Sequence, residues 1–399
     1  MSVSELFDRR RVIDVDTHLT EPPGVFVDRI PHRWADAVPQ IKRIDGVDCW
    51  VSGERVIGRP GRISAAGFAG TLPDGRNTME EIPAAMYEAS ARLEMMGEEG
   101  IQAEVIFPNV GGLGGATYFT LGEPEFVKGL VRAYNDFITE WTAADPDRLL
   151  AITTTPFWDL EFAISEISRC KAMGHRAINF CNAPEHHGLP PLASAHWDPL
   201  WSVVQEIGVP VCLHQGGGNL KGLEGDPAAI GVRANFAKES ALMFSDNQRA
   251  IADVIFGGIC HRFPRLRFVS VESGVGWIPG VLEALDWQWS NTGVVADHPE
   301  YDLLPSEYFR RQIYGCFWFE RTSAVATISQ FPNNCLFETD YPHPTCQYPS
   351  PGKPSQRPRD YASEALADLP EELLANVLHD TAAELFGLSE AGEQRRPSA

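Results

Sequence analysis

Val12-Ile13-Asp14-Val15-Asp16-Thr17-His18-Leu19 is apolar enough to form a buried β-strand, yet it carries two carboxylates and an imidazole. Because successive side chains of a strand point to opposite faces, the alternation places Asp14, Asp16 and His18 on one face. Burial of such a face is costly unless a metal ion takes up the charge. The alternative is a surface strand with a solvated acidic face, and this stretch alone leaves both interpretations open.

Seven further apolar runs follow, and helix-like segments separate most of them. They lie at residues 103–110, 149–157, 177–183, 209–215, 266–273, 312–319 and 335–341. Near-continuous apolar runs are typical of parallel strands buried on both faces, and their alternation with helices is typical of a parallel α/β fold. Eight such strands predict a (β/α)8 TIM barrel, which as one domain can exceed the usual domain length. We therefore expect residues 1–388 to form a single domain.

Three connections are too long for ordinary strand-to-helix loops, namely residues 20–85, 216–245 and 275–310. Each follows a strand end, so on a barrel it would project over the C-terminal mouth as a lid or a substrate wall. The first insertion contains side chains that could supply an apolar wall and phosphate contacts, although loop arginines are more often solvated: Arg59, Arg62, Ile63, Phe68 and Arg76. The polar segment 389–399 is predicted to be a disordered tail.

The composition argues against several classes of partner and location. A net charge of −21 disfavours nucleic acid and anionic membrane surfaces as partners. No run of about 18 apolar residues marks a membrane span, and the first residues lack the apolar core of a signal peptide. The eight cysteines include no Cys-x-x-Cys pair, and several lie in apolar runs, as is typical of reduced core thiols. These features predict a cytoplasmic enzyme that acts on a small molecule.

Ligand-type side chains stand at the ends of four of the predicted strands. They are Asp16 and His18 on the first strand, His214 on the fifth, Glu272 on the sixth and Asp340 on the eighth. The carboxyl ends of barrel strands converge on one mouth, so these five side chains can share one metal centre. Imidazole and carboxylate ligands without a thiolate suit Fe, Mn or Zn.

Three other side chains are further candidates for the same centre, and Glu21 and His187 are the weaker two of them. His343 lies three residues beyond the aspartate of the eighth strand, and we expect it in or beside the metal site. Glu21 and His187 follow the first and fourth strands and are further candidate ligands. Each of the three can instead be an ordinary solvated or turn residue.

Supporting roles are predicted for three more residues. Asp14, one step deeper in the first strand than the ligand pair, is expected to orient a ligand through a hydrogen bond. Trp277 and Trp318 are expected to face the substrate, with ordinary packing as the alternative for both.

This pattern resembles the amidohydrolase superfamily, in particular the branch that includes the aminocarboxymuconate-semialdehyde and aromatic-acid decarboxylases. The resemblance implies metal ligands at Asp16 and His18, where the family has a His-x-His or similar pair, and at His214 and Asp340. Where the decarboxylases have a catalytic His on strand six, this sequence has Glu272. Strand four also lacks the Lys that bridges two metals in dinuclear members. The acid and base roles of the decarboxylases therefore cannot be transferred directly.

Within that branch, three motifs look like those of the TIM-barrel non-haem di-iron monooxygenases: Asp-x-Asp-x-His, Glu-Ser-Gly-Val-Gly-Trp-Ile-Pro and Asp-Tyr-Pro-His. The resemblance implies two Fe ions, catalytic roles for Glu272, Asp340 and His343, and hydroxylation of a bulky apolar metabolite, for example as a coenzyme A thioester. Such an enzyme would need O2 and an external electron donor. The alternative is a hydrolase or a non-oxidative decarboxylase with Zn or Mn, in which hydrolysis would use Asp340 as the base. Because barrels of this family are often dimers, a homodimer is a further expectation.

Overall fold

The computed structural model describes residues 1–71, 74–217 and 225–388. Within these ranges the β-strands, numbered in chain order, are Ile13–His18 (β1), Gln40–Ile44 (β2), Val47–Ser52 (β3), Arg55–Gly58 (β4), Ala103–Phe107 (β5), Leu149–Thr154 (β6), Ala177–Phe180 (β7), Val211–His214 (β8), Phe268–Val271 (β9), Ile313–Phe317 (β10) and Cys335–Phe337 (β11). The strands β1 and β5 to β11 lie at the eight positions that the apolar runs predicted.

These eight strands form one parallel sheet that closes into a barrel, in the order β1-β5-β6-β7-β8-β9-β10-β11. The seam between β11 and β1 is closed by a parallel bridge between Thr17 and Tyr341. Across the same seam, the His18 amide donates to the Tyr341 carbonyl at 2.6 Å and the Asp340 amide donates to the Asp16 carbonyl at 3.0 Å. The predicted (β/α)8 TIM barrel is therefore confirmed, and its closure sets the candidate ligands of the first and eighth strands side by side.

The lower part of the barrel interior is apolar. Val105, Cys212 and Leu336 are fully buried there in one cluster. The short helix Thr381–Leu385 contributes to the same cluster, and so does Phe386 just beyond it. Because the lower layers are filled by apolar side chains, polar side chains collect at the opposite end, where the strands finish.

The helices surround this sheet. The α-helices of the described ranges are Val3–Asp8, Pro60–Ile63, Ala89–Glu99, Ala116–Phe119, Pro124–Thr142, Leu160–Ala172, Asp198–Ile207, Pro227–Ile230, Val232–Leu242, Phe244–Phe256, Ile259–Arg262, Ile278–Thr292, Pro305–Gln312, Thr322–Gln330, Pro358–Ala365, Glu371–Ala375 and Thr381–Leu385, with a π-helical turn at Asn376–Asp380. The longest begins with a proline at its first position and buries Phe126, Leu130 and Tyr134 at four-residue spacing. This one-sided apolar stripe holds the helix against the barrel.

The first insertion is more ordered than a plain loop. Strands β2, β3 and β4 form a small antiparallel sheet of their own. The insertion is tied to the chain after β11, because the amides of Ala65 and Ala66 donate to the Pro342 carbonyl at 2.8 and 2.9 Å. It therefore lies over the mouth beside the end of the eighth barrel strand, as a substrate wall would.

The other two insertions contain helices, whereas loops were predicted there. Helices at Pro227–Ile230 and Val232–Leu242 occupy much of the second, and its residues 218–224 lie outside the described ranges. The expected third loop, 275–310, instead contains Ile278–Thr292, in which Ile278, Leu282 and Trp289 are buried. These three apolar residues share one helical face, so this segment packs on the barrel wall rather than over its mouth. The glycines and Pro279 at its start obscured that periodicity in the sequence.

Two expectations from the composition concern membrane-spanning helices and the state of the cysteines. No helix within the described ranges is long and apolar enough to cross a membrane. All eight cysteines are free and buried, as their positions in apolar runs predicted. The predicted tail, residues 389–399, lies outside the described residues.

Candidate metal centre

Strand β1 places Asp16 and His18 at the mouth of the barrel, both fully buried. The pairing with β5 shifts between Asp14 and Thr17, so the simple alternation predicted for this strand is broken. The Asp14 carboxylate turns to the eighth strand, where it accepts hydrogen bonds from the Thr339 amide at 2.9 Å and from the Thr339 hydroxyl at 2.5 Å. Asp14 thus braces the residue that precedes Asp340.

One group of four buried side chains has ligand atoms that all lie within 4.8 Å of one another: Asp16, His18, His214 and Glu272. The Nε2 atoms of His18 and His214 are 3.3 Å apart. Asp16 Oδ1 is 3.3 Å from His18 Nε2 and 3.5 Å from His214 Nε2. Glu272 Oε2 is 3.7 Å from His214 Nε2. Three strands therefore direct two imidazoles and two carboxylates at one point.

His214 has a defined orientation within this group. Its Nδ1 lies 2.9 Å from the backbone carbonyl of Gln215, which can only accept, so Nδ1 carries the hydrogen. In the neutral ring the lone pair is therefore on Nε2, which faces the other ligand atoms as in metal-bound histidines. Burial lowers the pKa of His214, but the Asp16 and Glu272 carboxylates and the hydrogen bonds of the ring together outweigh it and raise the pKa to about 9. The carboxylates of the cluster therefore stabilise a positive charge at the His214 ring.

A second group of four shares two members with the first: His18, Glu272, Asp340 and His343. The rings of His18 and His343 stack with centroids 3.7 Å apart. His343 Nδ1 is 2.8 Å from Asp340 Oδ1, and Asp340 Oδ1 is 3.6 Å from His18 Nε2. The structure thus brings together all six of the principal candidate ligands, although no single tight group contains all of them.

Two of these carboxylates rest on unusual backbone. Glu272 has φ 51° and Asp340 has φ 60°, in the left-handed region that costs a residue with a side chain about 1 kcal/mol or more. The Glu272 amide is held by Glu338, whose Oε2 accepts from it at 3.2 Å. Such strain persists only where the surroundings impose it, which is typical of functional sites.

The charge of the cluster fits a divalent cation. Both carboxylate oxygens of Asp16, Oδ2 of Asp340 and Nδ1 of His18 are buried without a hydrogen-bond partner among the described residues. Burial and the Asp16 carboxylate raise the pKa of Asp340, and burial and Asp340 raise the pKa of Glu272 to about 8. Unpaired buried carboxylates of this kind are costly, and an oxygen- and nitrogen-seeking cation would compensate them.

Two further buried glutamates accept hydrogen bonds from backbone amides at or just after Glu272. Glu338, the residue after β11, is fully buried, and burial together with Asp16 raises its pKa. Glu320 accepts hydrogen bonds from the amides of Val275 at 2.7 Å and Gly276 at 2.8 Å, which fixes the turn that follows Glu272. The sequence analysis predicted no role for either glutamate. Both follow barrel strands, however, and a polar residue after an apolar strand is the pattern that identified the other candidates.

The two weaker candidate ligands lie outside both groups. Glu21 is buried, and its Oε1 accepts hydrogen bonds from the amides of Asn109 at 2.7 Å and Val110 at 3.1 Å. The ring of His187 lies beside that of Phe157, with centroids 5.5 Å apart. The structure therefore gives Glu21 a loop-supporting role and places His187 against an aromatic wall.

The two tryptophans expected to face substrate are engaged in packing. The indole of Trp277 donates to the Gly274 carbonyl at 2.8 Å and braces the same turn. Trp318 is buried, donates to the Thr345 carbonyl at 3.3 Å and meets the Phe244 ring with centroids 5.7 Å apart. Neither lines the cavity described next.

A cavity of about 550 Å³ lies between the first two insertions and the loop after β11. Its lining combines apolar side chains with two arginines and includes Val56, Arg59, Arg62, Ile63, Phe236, Met243 and Pro344. Arg62 lies over the Phe236 ring, 4.7 Å from its centroid. Neither arginine pairs with a carboxylate among the described residues. Arg76, by contrast, is buried and hydrogen bonds to the carbonyls of Ser64 and Ala66, so its role is structural.

Known proteins resemble this chain over most of its length. The γ-resorcylate decarboxylase of Polaromonas sp. (strain JS666) is 24% identical over 268 residues, which is 63% of this chain and 76% of that protein. An amidohydrolase from Mycobacterium avium subsp. paratuberculosis K-10 matches with a TM-score of 0.70 and 22% identity, over 94% of this chain and 99% of its own. The dihydroxybenzoic acid decarboxylase from Polaromonas sp. JS666, with bound manganese and the inhibitor 2-nitroresorcinol, matches with a TM-score of 0.61 and 16% identity, over 94% and 97%.

The expectation of a di-iron monooxygenase is wrong on these findings. The γ-resorcylate and dihydroxybenzoic acid decarboxylases among these proteins are carboxy-lyases and not oxidoreductases, and the metal named for one of them is manganese rather than iron. Neither O2, an external electron donor nor a coenzyme A thioester finds support among them. The three short motifs led to the wrong reaction because the same types of ligand serve several chemistries at a barrel mouth. The model of the amidohydrolase family matches residues 13–388, and the chain therefore belongs to the amidohydrolase family.

Proposed function

We propose that this protein is a metal-dependent, non-oxidative decarboxylase of an aromatic carboxylic acid. The observation that carries the proposal is the buried group of Asp16, His18, His214 and Glu272, with Asp340 and His343 directly beside it. A decarboxylase needs a cation to hold the acid and a proton donor for the carbon that loses CO2, and this arrangement offers residues for both. The similarity to γ-resorcylate and dihydroxybenzoic acid decarboxylases supports the same reaction class.

Asp16, His18, His214 and Glu272 would hold the cation. Imidazole and carboxylate donors without a thiolate fit Mn²⁺ or Zn²⁺, and the manganese of the Polaromonas enzyme favours Mn²⁺. When bound, the cation would supply the positive charge that fixes the carboxylate and a neighbouring oxygen of the acid. The Gln215 carbonyl keeps the Nε2 of His214 available for this role.

Asp340 and His343 would handle the proton. Asp340 Oδ1 and His343 Nδ1 are 2.8 Å apart, close enough for a proton to pass between them. In the reaction the ring carbon that bears the carboxylate takes a proton from this pair, and the bond to the carboxyl carbon breaks. Its electron pair returns to the ring, CO2 leaves and the pair regains a proton from solvent. This assignment replaces the strand-six His that is absent here.

The cavity beside Pro344 would hold the body of the acid. Phe236, Ile63 and Met243 give it an apolar wall, which suits an aromatic ring or a bulky substituent. Burial and the neighbouring Arg59 lower the pKa of Arg62, so an anionic group between the two arginines would be favourable there. The pair would therefore select a second anionic group on the substrate.

The test is CO2 release from a panel of hydroxylated aromatic acids, including 2,6-dihydroxybenzoate, by metal-free protein reloaded with Mn²⁺. We expect release that does not depend on O2 and that falls at least about 100-fold in Asp16→Asn and His214→Gln. Asp45→Asn is the matched control, because Asp45 is exposed in the turn between β2 and β3 and its φ of 49° also suits Asn. Hydrolysis of esters or amides without CO2 release from any acid would contradict the proposal.

A further inference from the structure

The two ring nitrogens of His343 face different partners. Nδ1 lies 2.8 Å from Asp340 Oδ1, and Nε2 lies 2.8 Å from Asn109 Oδ1. The ring itself is mostly buried and stacks on His18, so these two directions are its principal polar contacts. Which nitrogen carries the hydrogen therefore decides what His343 can do.

The amide of Asn109 can be oriented in one way only. Its Nδ2 donates to the Leu19 carbonyl at 2.8 Å, and a carbonyl has no hydrogen to donate in return. The NH2 group must therefore face Leu19, which turns Oδ1 to His343. Because Oδ1 offers lone pairs alone, the hydrogen of this contact belongs to Nε2 of His343.

Asn109 is itself held firmly. Its backbone amide and that of Val110 both donate to Glu21 Oε1, at 2.7 and 3.1 Å. Glu21 is buried and follows the first strand by three residues. The loops after β1 and β5 are thus joined through one carboxylate, and the amide of Asn109 is fixed relative to the ligands of β1.

We propose that Asn109 is a positioning residue that holds His343 in the tautomer with hydrogen on Nε2. Nδ1 then faces Asp340 Oδ1, 2.8 Å away, and these two atoms share the one proton that the reaction uses. Without Asn109 the ring could reverse or exchange its hydrogen between the two nitrogens, and the proton would no longer be aimed at the substrate. The consequence for turnover rests on the proposed function, whereas the tautomer follows from the hydrogen bonds alone.

The test is 15N NMR of protein labelled at histidine, both metal-free and loaded with diamagnetic Zn²⁺. The His343 signals are assigned by their loss in His343→Gln. We expect wild-type His343 to carry hydrogen on Nε2 in the metal-free protein and to lose that preference in Asn109→Leu. Asn109→Asp keeps an acceptor for Nε2 and should restore the tautomer.

Turnover of the Mn²⁺-loaded variants supplies the second readout. Asn109→Leu should lower kcat about 10- to 100-fold with KM nearly unchanged, and Asn109→Asp should recover part of the loss. Asn376→Leu is the matched control, since Asn376 bonds to the Pro332 carbonyl and to Asn333, away from the mouth.

Two outcomes would overturn the inference. Hydrogen on Nδ1 with none on Nε2 in the wild-type protein would do so, even if Asn109→Leu failed to fold. An unchanged Nε2 tautomer in Asn109→Leu would remove the role of Asn109. Failure of the proposed reaction would appear differently, as an absence of CO2 release with the wild-type tautomer as expected.

Discussion

Glu320 provides a prediction whose size follows from the structure. Its Oε1 accepts two backbone hydrogen bonds, while Oε2 is buried without a partner among the described residues. Burial raises the pKa of Glu320 from 4.5 to about 7, although the amides of Gly276 and Val275 act in the opposite direction. Since one pKa unit corresponds to about 1.4 kcal/mol, the ionised carboxylate costs the fold about 3 kcal/mol.

The direction in which stability changes with pH follows from proton binding by Glu320. Between pH 4.5 and about 7 the folded protein retains the proton on Glu320 whereas the unfolded chain has released it, so stability falls as pH rises through this window. Glu320→Gln cannot titrate, but its carbonyl can still accept from both amides. From pH 5 to pH 8, the free energy of unfolding of Glu320→Gln should therefore rise relative to wild type by about 2 to 3 kcal/mol.

Urea-induced unfolding of the metal-free proteins, followed by tryptophan fluorescence, gives this difference. Groups that titrate identically in both proteins cancel in the comparison. Glu283→Gln, on the exposed face of Ile278–Thr292, is the control and should show no such change with pH. A stability difference between wild type and Glu320→Gln that is the same at both pH values would refute the reasoning.

Three further predictions concern the site, the cavity and the barrel wall. Asp14→Asn should lower kcat about 10- to 100-fold at saturating Mn²⁺, because Asp14 accepts two hydrogen bonds from Thr339, the neighbour of Asp340, which is the proposed proton donor. Steady-state kinetics with an unaltered kcat would contradict this. Arg62→Met should raise KM about tenfold with little change in kcat if the cavity binds an anionic group, and an unchanged KM would count against it. Gly315→Ala should destabilise the fold by about 1 to 3 kcal/mol, because its Cβ would lie 2.7 Å from Ile278 Cδ1. Thermal unfolding checks this, and a midpoint equal to that of wild type would argue against tight packing there.

The barrel was predictable because its strands are buried on both faces. Continuous apolar runs such as those around Val211 and Phe268 are typical of parallel strands in an α/β chain. Once the barrel is assumed, its geometry brings the strand ends together, and with them His214 and Asp340. The principal candidate ligands could therefore be chosen from residue type and position alone.

The supporting residues could not be chosen in this way. Asn109 acts on His343 across 234 positions of the chain, and its importance lies in an amide orientation that no local pattern encodes. Glu338 looks like any strand residue until its contact with the Glu272 amide is seen. The shift of register between Asp14 and Thr17 likewise depends on the partner strand, so alternation alone does not describe this strand.

The reaction was the least predictable feature. Carboxylates and imidazoles at a barrel mouth are compatible with oxygenation, hydrolysis and decarboxylation, because the metal and the substrate decide among them. Arg59 and Arg62 meet Phe236 in one cavity through packing between two insertions, and no motif in the sequence indicated this arrangement.

The most direct test of the central claim is the reaction of the Mn²⁺-loaded protein in D2O under strict exclusion of O2. The substrate is 2,6-dihydroxybenzoate or whichever acid of the panel is converted fastest. We predict one CO2 per product molecule and one deuterium at the ring carbon that carried the carboxylate. CO2 release that requires O2 and leaves a hydroxyl at that carbon would contradict the proposed decarboxylation, as would a metal-loaded protein that converts no acid of the panel.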